Sequence, residues 1–365
     1  MADDKPTMRI TTPADLAGAV PHMVGYQPDN NQIAILGFHG PNYIGSAVHT
    51  WAADLGEGPA HTAEVTDHIV RAFGDRANSY LAIGYGPEGP ERALLFQDAF
   101  TQHTGTQAQA WAVDNDRLQL FSPDRGWSPE VDLETTAGTE YAMVTGAQPA
   151  ATREELTRQY EPVPEDQQAH LHPDTAQRLA TMAPTAQYEW ASRALSEGAE
   201  SKTGLTDEQV AVIAHATATS VHIRDNLLAD VVGDSIKADR LVDVFRRCDD
   251  ARRPDMADLA GASQFITRGS TVAIEAITRH TTGALGRKAN HAATLGLDPQ
   301  PLIDSIDPND LRQRLTAADR QHYRSHVMNH SLLLSSPDPR ASNKPAPGIR
   351  HQIGKGPGAW MDMDR

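Results

Sequence analysis

Residues 79–96 read SYLAIGYGPEGPERALLF: an apolar run, a turn of glycine and proline, then a run with helical spacing. A strand over 79–86 that passes through such a turn into a helix over 90–105 begins a strand–helix–strand unit. That assigns the N-terminal half to an α/β fold. The turn also raises a chemical question, because Gly84-x-Gly86-x-x-Gly89 matches the dinucleotide fingerprint G-x-G-x-x-G, and the acidic Asp114 follows where a ribose-binding carboxylate would stand. Two residues argue against a diphosphate. Pro87 and Pro90 carry no N–H, at the turn and helix start where phosphate binding needs donors most. The third glycine is expected to precede the helix and so to miss the close helix–strand contact that it makes in the fingerprint.

Working outward, QIAILGF (32–38) is a short apolar run expected to form a strand buried on both faces, and YIGSAVHTW (43–51) a second strand. TTPADLAGAVPHMVG gives a short helix with Thr12 as cap, Pro13 in its first turn and an end at Pro21. Val65, Ile69 and Phe73 set a helix over 61–73, and 107–121 reads as strand, Asp-Asn-Asp turn, strand. Residues 122–137 read as loop, and Thr152 with Glu155 forms a capping box that starts a helix near 153–160. After residue 170 strand signals stop. Helical runs are expected over 174–199 (bent at Pro184), 207–232, 234–249, 256–267, 270–282, 284–295 and 308–329. The expected fold is therefore an α/β domain with a mixed sheet and flanking helices (9–165), an all-α helical bundle (170–330) and a disordered C-terminal tail (335–365). In that tail, Trp360 and Met361 are the candidate partner-docking residues.

Composition narrows the function. The chain has 365 residues, 48 of them acidic and 32 Lys or Arg, giving −16, so a polyanionic partner meets repulsion and nucleic acid is disfavoured. Aromatics are only 5%, so the core must be built from Ala, Val, Leu and Ile. The one cysteine, Cys248, can form no intramolecular disulfide, and no apolar run reaches membrane-spanning length. With no basic-then-apolar leader at the N-terminus, the expectation is a cytoplasmic protein without a membrane partner.

Other candidate sites are weaker. His61, Glu64 and His68 share one helix face and form a candidate metal set, although no H-E-x-x-H is present. PHMVGYQPDNNQIAILGF places Tyr26, Asp29, Asn30 and Asn31 between a helix and the first core strand. Pro28-Asp29-Asn30 there suits a type I turn, and the segment is a candidate pocket edge. No G-x-S-x-G elbow and no phosphate-binding G-x-x-x-x-G-K-[ST] occurs.

At this motif the chain resembles a family of uncharacterised actinobacterial proteins, a domain of unknown function. Pro21, Gly25, Tyr26, Pro28, Asp29 and Asn30 match its Pro…Gly-aromatic-x-Pro-x-[Asp/Asn] pattern, with Asn31 where Ser is usual. GAQPAATREEL matches at Gly146, Pro149, Arg153 and Leu156, VHIRDNLLADV at Arg224 and Asp225, and ASQFITRGSTVAIEAI resembles the C-terminal helix pair. Many members carry a Cys-Cys-Pro cluster where this chain has Ser122, Gly126, Trp127 and Pro129, so no metal or redox role of that cluster carries over. The resemblance spans about residues 9–305 and implies a fold, not a reaction.

Arg153, Arg224 and Asp225 are the charged ligand-binding candidates. Inward-pointing arginines would need a carboxylate or a ligand anion, and Asp225, next to Arg224, is expected to point elsewhere on its helix. No cofactor is expected. The first functional reading is a non-catalytic interaction or scaffold protein acting through a protein partner or self-association. The alternative is a small-molecule sensor or enzyme using the mouth of the sheet. A second alternative, an accessory of mobile-element or chromosome maintenance, rests only on Arg340, Lys344, Arg350 and Lys355 in the tail.

Overall fold

The run QIAILGFH becomes β1 (Gln32–His39), whose first six residues are all buried. The computed structural model, which describes residues 10–50, 59–105, 108–133, 136–145 and 148–334, shows why. Ile33 and Ile35 pack on one face with Ile69, Phe73, Phe96 and Phe100, whereas Ala34 and Leu36 pack on the other with Ala17 and Val20. Successive side chains alternate across a strand, so a strand covered on both faces must be apolar throughout.

The covering elements follow from the same sequence. α2 (Pro59–Phe73) and α3 (Gly89–Thr104) lie on the first face, and α1 (Pro13–Val24) on the second. Around β1 stand β2 (Asn42–Thr50), β3 (Ser79–Tyr85), β4 (Gln109–Asp114) and β5 (Arg117–Ser122), with short β6 (Gly126–Trp127) and β7 (Val131–Asp132). The order is β2-β1-β3-β4-β5-β6, with β7 also paired to β5. Only β3 and β4 run parallel, joined by α3, so the sheet is mixed. Asn115 and Asp116, both at positive φ (47° and 58°), close the tight β4–β5 hairpin.

Three expectations need correction here. α1 does not stop at Pro21 but runs on to Val24 and ends at Gly25, left-handed at φ 87°. The supposed loop of 122–137 contains β6 and β7 and leads into α4 (Ala137–Thr145). α4 lacks an apolar stripe because it docks through glycine: a Cβ on Gly138 would lie 2.1 Å from the Gly18 carbonyl oxygen of α1. The third correction concerns Gly89. It opens α3, and a Cβ on Gly84 would lie 2.0 Å from its carbonyl oxygen, so the first and third glycines do bring helix and strand together.

The start of α1 is fixed by a reciprocal cap. The Asp15 amide donates to Thr12 Oγ1 at 3.1 Å, and Asp15 Oδ2 accepts the Thr12 amide at 2.9 Å. Hydrogen bonds led by the Thr11 hydroxyl hold the Asp15 carboxyl at about 2, below the usual value near 3.9. A depressed folded pKa means the stabilisation is complete above about pH 4 and lost as pH falls toward about 2. Replacing Thr12 by alanine should cost about 1 kcal/mol. The acid limb of a stability-versus-pH curve should flatten between about pH 4 and 2 when Asp15→Asn is compared with the parent.

The rest of the described chain is helical: α5 (Arg153–Arg158), α6 (Pro173–Thr181), α7 (Pro184–Glu200), α8 (Asp207–Thr219), α9 (Val221–Asp230), α10 (Ser235–Arg247), α11 (Arg253–Ile266), α12 (Thr271–Thr278), α13 (Ala284–Thr294), α14 (Gln300–Asp304) and α15 (Pro308–Leu334). The run expected over 174–199 is two helices, because Pro184 starts a new one instead of bending the old. The run expected over 207–232 breaks at Ser220, which is extended and caps α9 by accepting the His222 amide. Leu195, Ile213, Ile223, Leu227, Phe245 and Leu259 are among the buried residues of this half's core. Among the described residues, those up to Arg320 form one compact unit, and those from Gln321 belong to a second. Trp360 and Met361 lie outside the described residues. No helix among the described residues is long and apolar enough to cross a membrane.

Candidate functional site

The left-handed Gly25 turns the chain out of α1 and into Tyr26, which bridges to Ala150 in parallel fashion. Gln27 N–H donates to Ala150 O at 2.8 Å, and Ala150 N–H to Gly25 O at 3.0 Å. Those bonds bring Thr152 and α5 alongside. Thr152 Oγ1 accepts the Glu155 amide, but Glu155 returns its carboxylate to the Ala151 amide, so only half of the expected box forms. Tyr26, Ala150 and Leu156 then pack with Val272 of α12, which joins the sheet to the helical half.

A cleft of about 490 Å³ opens at this junction. Its walls are β2, the end of α1, α5 and the α11–α12 turn, with the Gly296 loop closing one side. The lining mixes polar groups with apolar and aromatic side chains, Tyr26, Phe73, Leu156 and Val272 among them. Arg76, Arg153 and Arg268 also line it, and no Asp or Glu among the described residues does. Two of the three have carboxylate partners outside the lining, Glu275 and Asp298, so the positive excess there is smaller than the number of arginines.

The arginines are held differently. Arg76 donates through Nε to Phe73 O (3.2 Å) and through Nη2 to Ala72 O and Gly296 O (2.7 Å each). It thereby caps the end of α2 and clamps the Gly296 loop, and its Nη1 has no partner among the described residues. Arg153 pairs with Glu275 at 2.7 Å and Arg268 with Asp298 at 3.2 Å, each through Nη2 alone and each at the surface. Such exposed pairs contribute only about 0–1 kcal/mol, so a ligand can compete for these guanidinium groups. Burial pushes the Tyr26 phenol up, with Arg153 pulling it down, and burial lowers His22 at the same cleft. Both are therefore neutral near pH 7.

Of the sequence-derived candidates, only Tyr26 and Arg153 meet in this cleft. Asp29, Asn30 and Asn31 form a turn closed by Gln32 N–H on Asp29 O, one residue later than the Pro28-Asp29-Asn30 turn expected. Asn30 instead joins the glycine loop. A Cβ on Gly86 would fall 2.5 Å from the Asn30 Cβ, and Arg92 Nη1 donates to Asn30 O at 3.1 Å. Two amides in that loop are already engaged, Gly86 N–H with Val113 O and Gly89 N–H with Gly86 O, both at 2.9 Å. Asp114 ends β4, opposite Arg117. A second cavity, of about 290 Å³, lies beside the carboxyl ends of β3 and β4. It is lined in part by Tyr85, whose buried hydroxyl has no hydrogen-bond partner among the described residues.

Arg224 and Asp225 lie in the helical half, and the expectation that Asp225 points away is wrong. Arg224 Nε and Nη2 both donate to Asp225 Oδ1 (3.1 and 2.8 Å), because a long guanidinium can fold back on its neighbour. Its Nη1 reaches Asp258 at 2.7 Å, and Asp258, only 2% exposed, also accepts the Gly286 amide and the Thr281 hydroxyl. Arg224 thus finds its carboxylates within the protein. On α2, His61 meets His49 at 3.4 Å while His68 approaches the Thr294 carbonyl oxygen at 3.3 Å. The structure does not bring them and Glu64 into one set, and among the described residues no group of three His, Cys, Asp or Glu is disposed to hold a metal ion. Burial pushes the Cys248 thiol up to about 12.

Sequence reasoning missed Arg76 and Arg268. Arg76 shows no local signal, since its role comes from a loop 220 residues away. Arg268 was within reach, because an Arg-Gly pair ends an apolar helix where glycine alone is usual.

A family model described as "Domain of unknown function (DUF4192)" matches residues 13–282, a span that includes Arg76, Arg153 and Arg268. No curated protein and no solved structure matches the chain.

Proposed function

The chain belongs to the DUF4192 family, and from its junction cleft we propose that it binds a small molecule there, with the helical half closing over the sheet as a sensor or carrier would. The observation that carries this is convergence. Residues from α1, β2, α2, α5 and the α11–α12 turn, far apart in sequence, surround one concavity of about 490 Å³, within the roughly 300–1,000 Å³ of small-molecule sites. Apolar and aromatic side chains beside placed polar groups are the elements of such a site.

Thr271, exposed at the start of α12, sits at the cleft, and Thr271→Trp should block it with little effect on folding. A small-molecule thermal-shift screen should give a ligand that raises the midpoint by several degrees, since ligand at 100 times its Kd adds about 2.7 kcal/mol. Thr271→Trp should abolish that shift. A shift that survives the substitution removes the cleft from consideration.

A second reading, a protein that works through a protein partner, draws on α4, where Met143 and Val144 stand 79% and 74% exposed. Exposed apolar pairs on a docked helix suit an interface. Sedimentation of the full chain against Met143→Glu tests it for self-association, and an unchanged sedimentation coefficient would remove that form of it.

A further inference from the structure

Resting on the cleft reading above, we propose that the ligand is a phosphate monoester with an apolar body, and that Arg268 is kept at the cleft for its phosphate against the preference of the backbone.

The first support is charge. Among the described residues, three arginines and no carboxylate line the cleft. Arg76 keeps Nη1 uncommitted while its other nitrogens are pinned by three carbonyls, so one cation is oriented before any ligand arrives. Arg153 and Arg268 each engage only Nη2, in surface pairs that an anion can replace. Three guanidinium groups exceed what a single carboxylate can use. They match a dianion with three acceptor oxygens, for which arginine forks supply charge-assisted bonds. The apolar side chains of Phe73, Leu156 and Val272 in the same lining suit a hydrophobic body.

The second support is where Arg268 sits. α11 ends in a two-bond cap: Gly269 N–H donates to Gln264 O at 2.7 Å, and Arg268 N–H to Phe265 O at 3.1 Å. In this motif the penultimate residue is left-handed and is usually glycine. Here it is Arg268, at φ 61°. A side chain at the neighbouring glycine would have to displace the Gln264 amide, since a Cβ on Gly269 would lie 2.1 Å from Gln264 Oε1. A long cation thus occupies the position where glycine would relieve the backbone, at the lip of an arginine-lined cavity. Strain retained at such a place is a mark of function.

The test uses phenyl phosphate on the full chain, by calorimetric titration and thermal shift, with phenol, benzoate and inorganic phosphate as comparators. Phenyl phosphate should bind at least tenfold more tightly than each, with affinity falling as salt rises. Arg268→Gly should raise the melting temperature of the free protein by about 1–2 °C and weaken phenyl phosphate at least tenfold. Arg268→Lys should leave the melting temperature unchanged while recovering part of the affinity. Unaltered phenyl phosphate binding by Arg268→Gly overturns the role of Arg268. Failure of phenyl phosphate to bind, alongside a neutral compound whose shift Thr271→Trp removes, overturns the anion assignment and leaves the cleft reading standing. Failure of every compound at the cleft defeats both.

Discussion

Asp258→Ala is expected to lower the free energy of unfolding by about 3–5 kcal/mol, the range for removing one partner of a buried ion pair. The Asp258 side chain is 2% exposed and receives Arg224 Nη1 at 2.7 Å, the Thr281 hydroxyl at 3.0 Å and the Gly286 amide at 2.6 Å. Alanine removes the acceptor of three donors, one of them Nη1 of a guanidinium only 19% exposed, which keeps Asp225 as its other partner. The groups belong to α9, α11, the α12–α13 turn and α13, so four segments lose a shared anchor. Asp258→Asn separates charge from shape, because it retains an acceptor oxygen but not the ion pair, and its loss should fall between alanine and the parent. Urea denaturation read by circular dichroism provides the measurement. A loss below about 1 kcal/mol for alanine, the scale of a surface pair, would mean that water replaces the carboxylate easily and the site is not dry.

Gly84→Ala should cost about 3 kcal/mol or more, at the upper end for overpacking. The new methyl would lie 2.0 Å from the Gly89 carbonyl oxygen and 2.6 Å from its carbon. Backbone, not a flexible side-chain tip, blocks it, so α3 must lift off β3. Gly105→Ala is the control. Gly105 has φ 67° but nothing within 4 Å of a Cβ, so only the left-handed penalty of about 1–2 kcal/mol applies. Gly84 itself is not at positive φ, so a loss no larger than that of Gly105→Ala would show that α3 yields easily and that the close approach costs little.

The glycine loop shows how far local reading goes. Its strand, turn and helix were legible at 79–96 because period, proline and glycine are local signals. What Gly84 and Gly89 touch was not, and the contact is with each other. α4 escaped notice for a related reason. Apolar periodicity reports burial of large side chains, whereas α4 docks on α1 through Gly138 against Gly18. The division of 207–232 into α8 and α9 turned on one extended residue, Ser220, whose sequence context reads equally well as helix interior.

At the cleft, Tyr26 and Arg153 could be singled out from motifs, yet their meeting depends on a two-bond bridge between Gly25–Gln27 and Ala150. Arg224, marked by similar reasoning, is taken up by Asp225 and Asp258 instead. Charged residues read alike in sequence whether they face a ligand, a buried carboxylate or water.

The sequence alone determined the succession of a mixed α/β half and a helical half, because hydrophobic period and turn residues act over a few positions. Where the cleft lies and which arginines reach it were decided only when the chain folded. Those properties depend on Arg76 meeting a loop 220 residues away and on Val272 packing against Tyr26, and contacts between distant segments leave no local pattern to read.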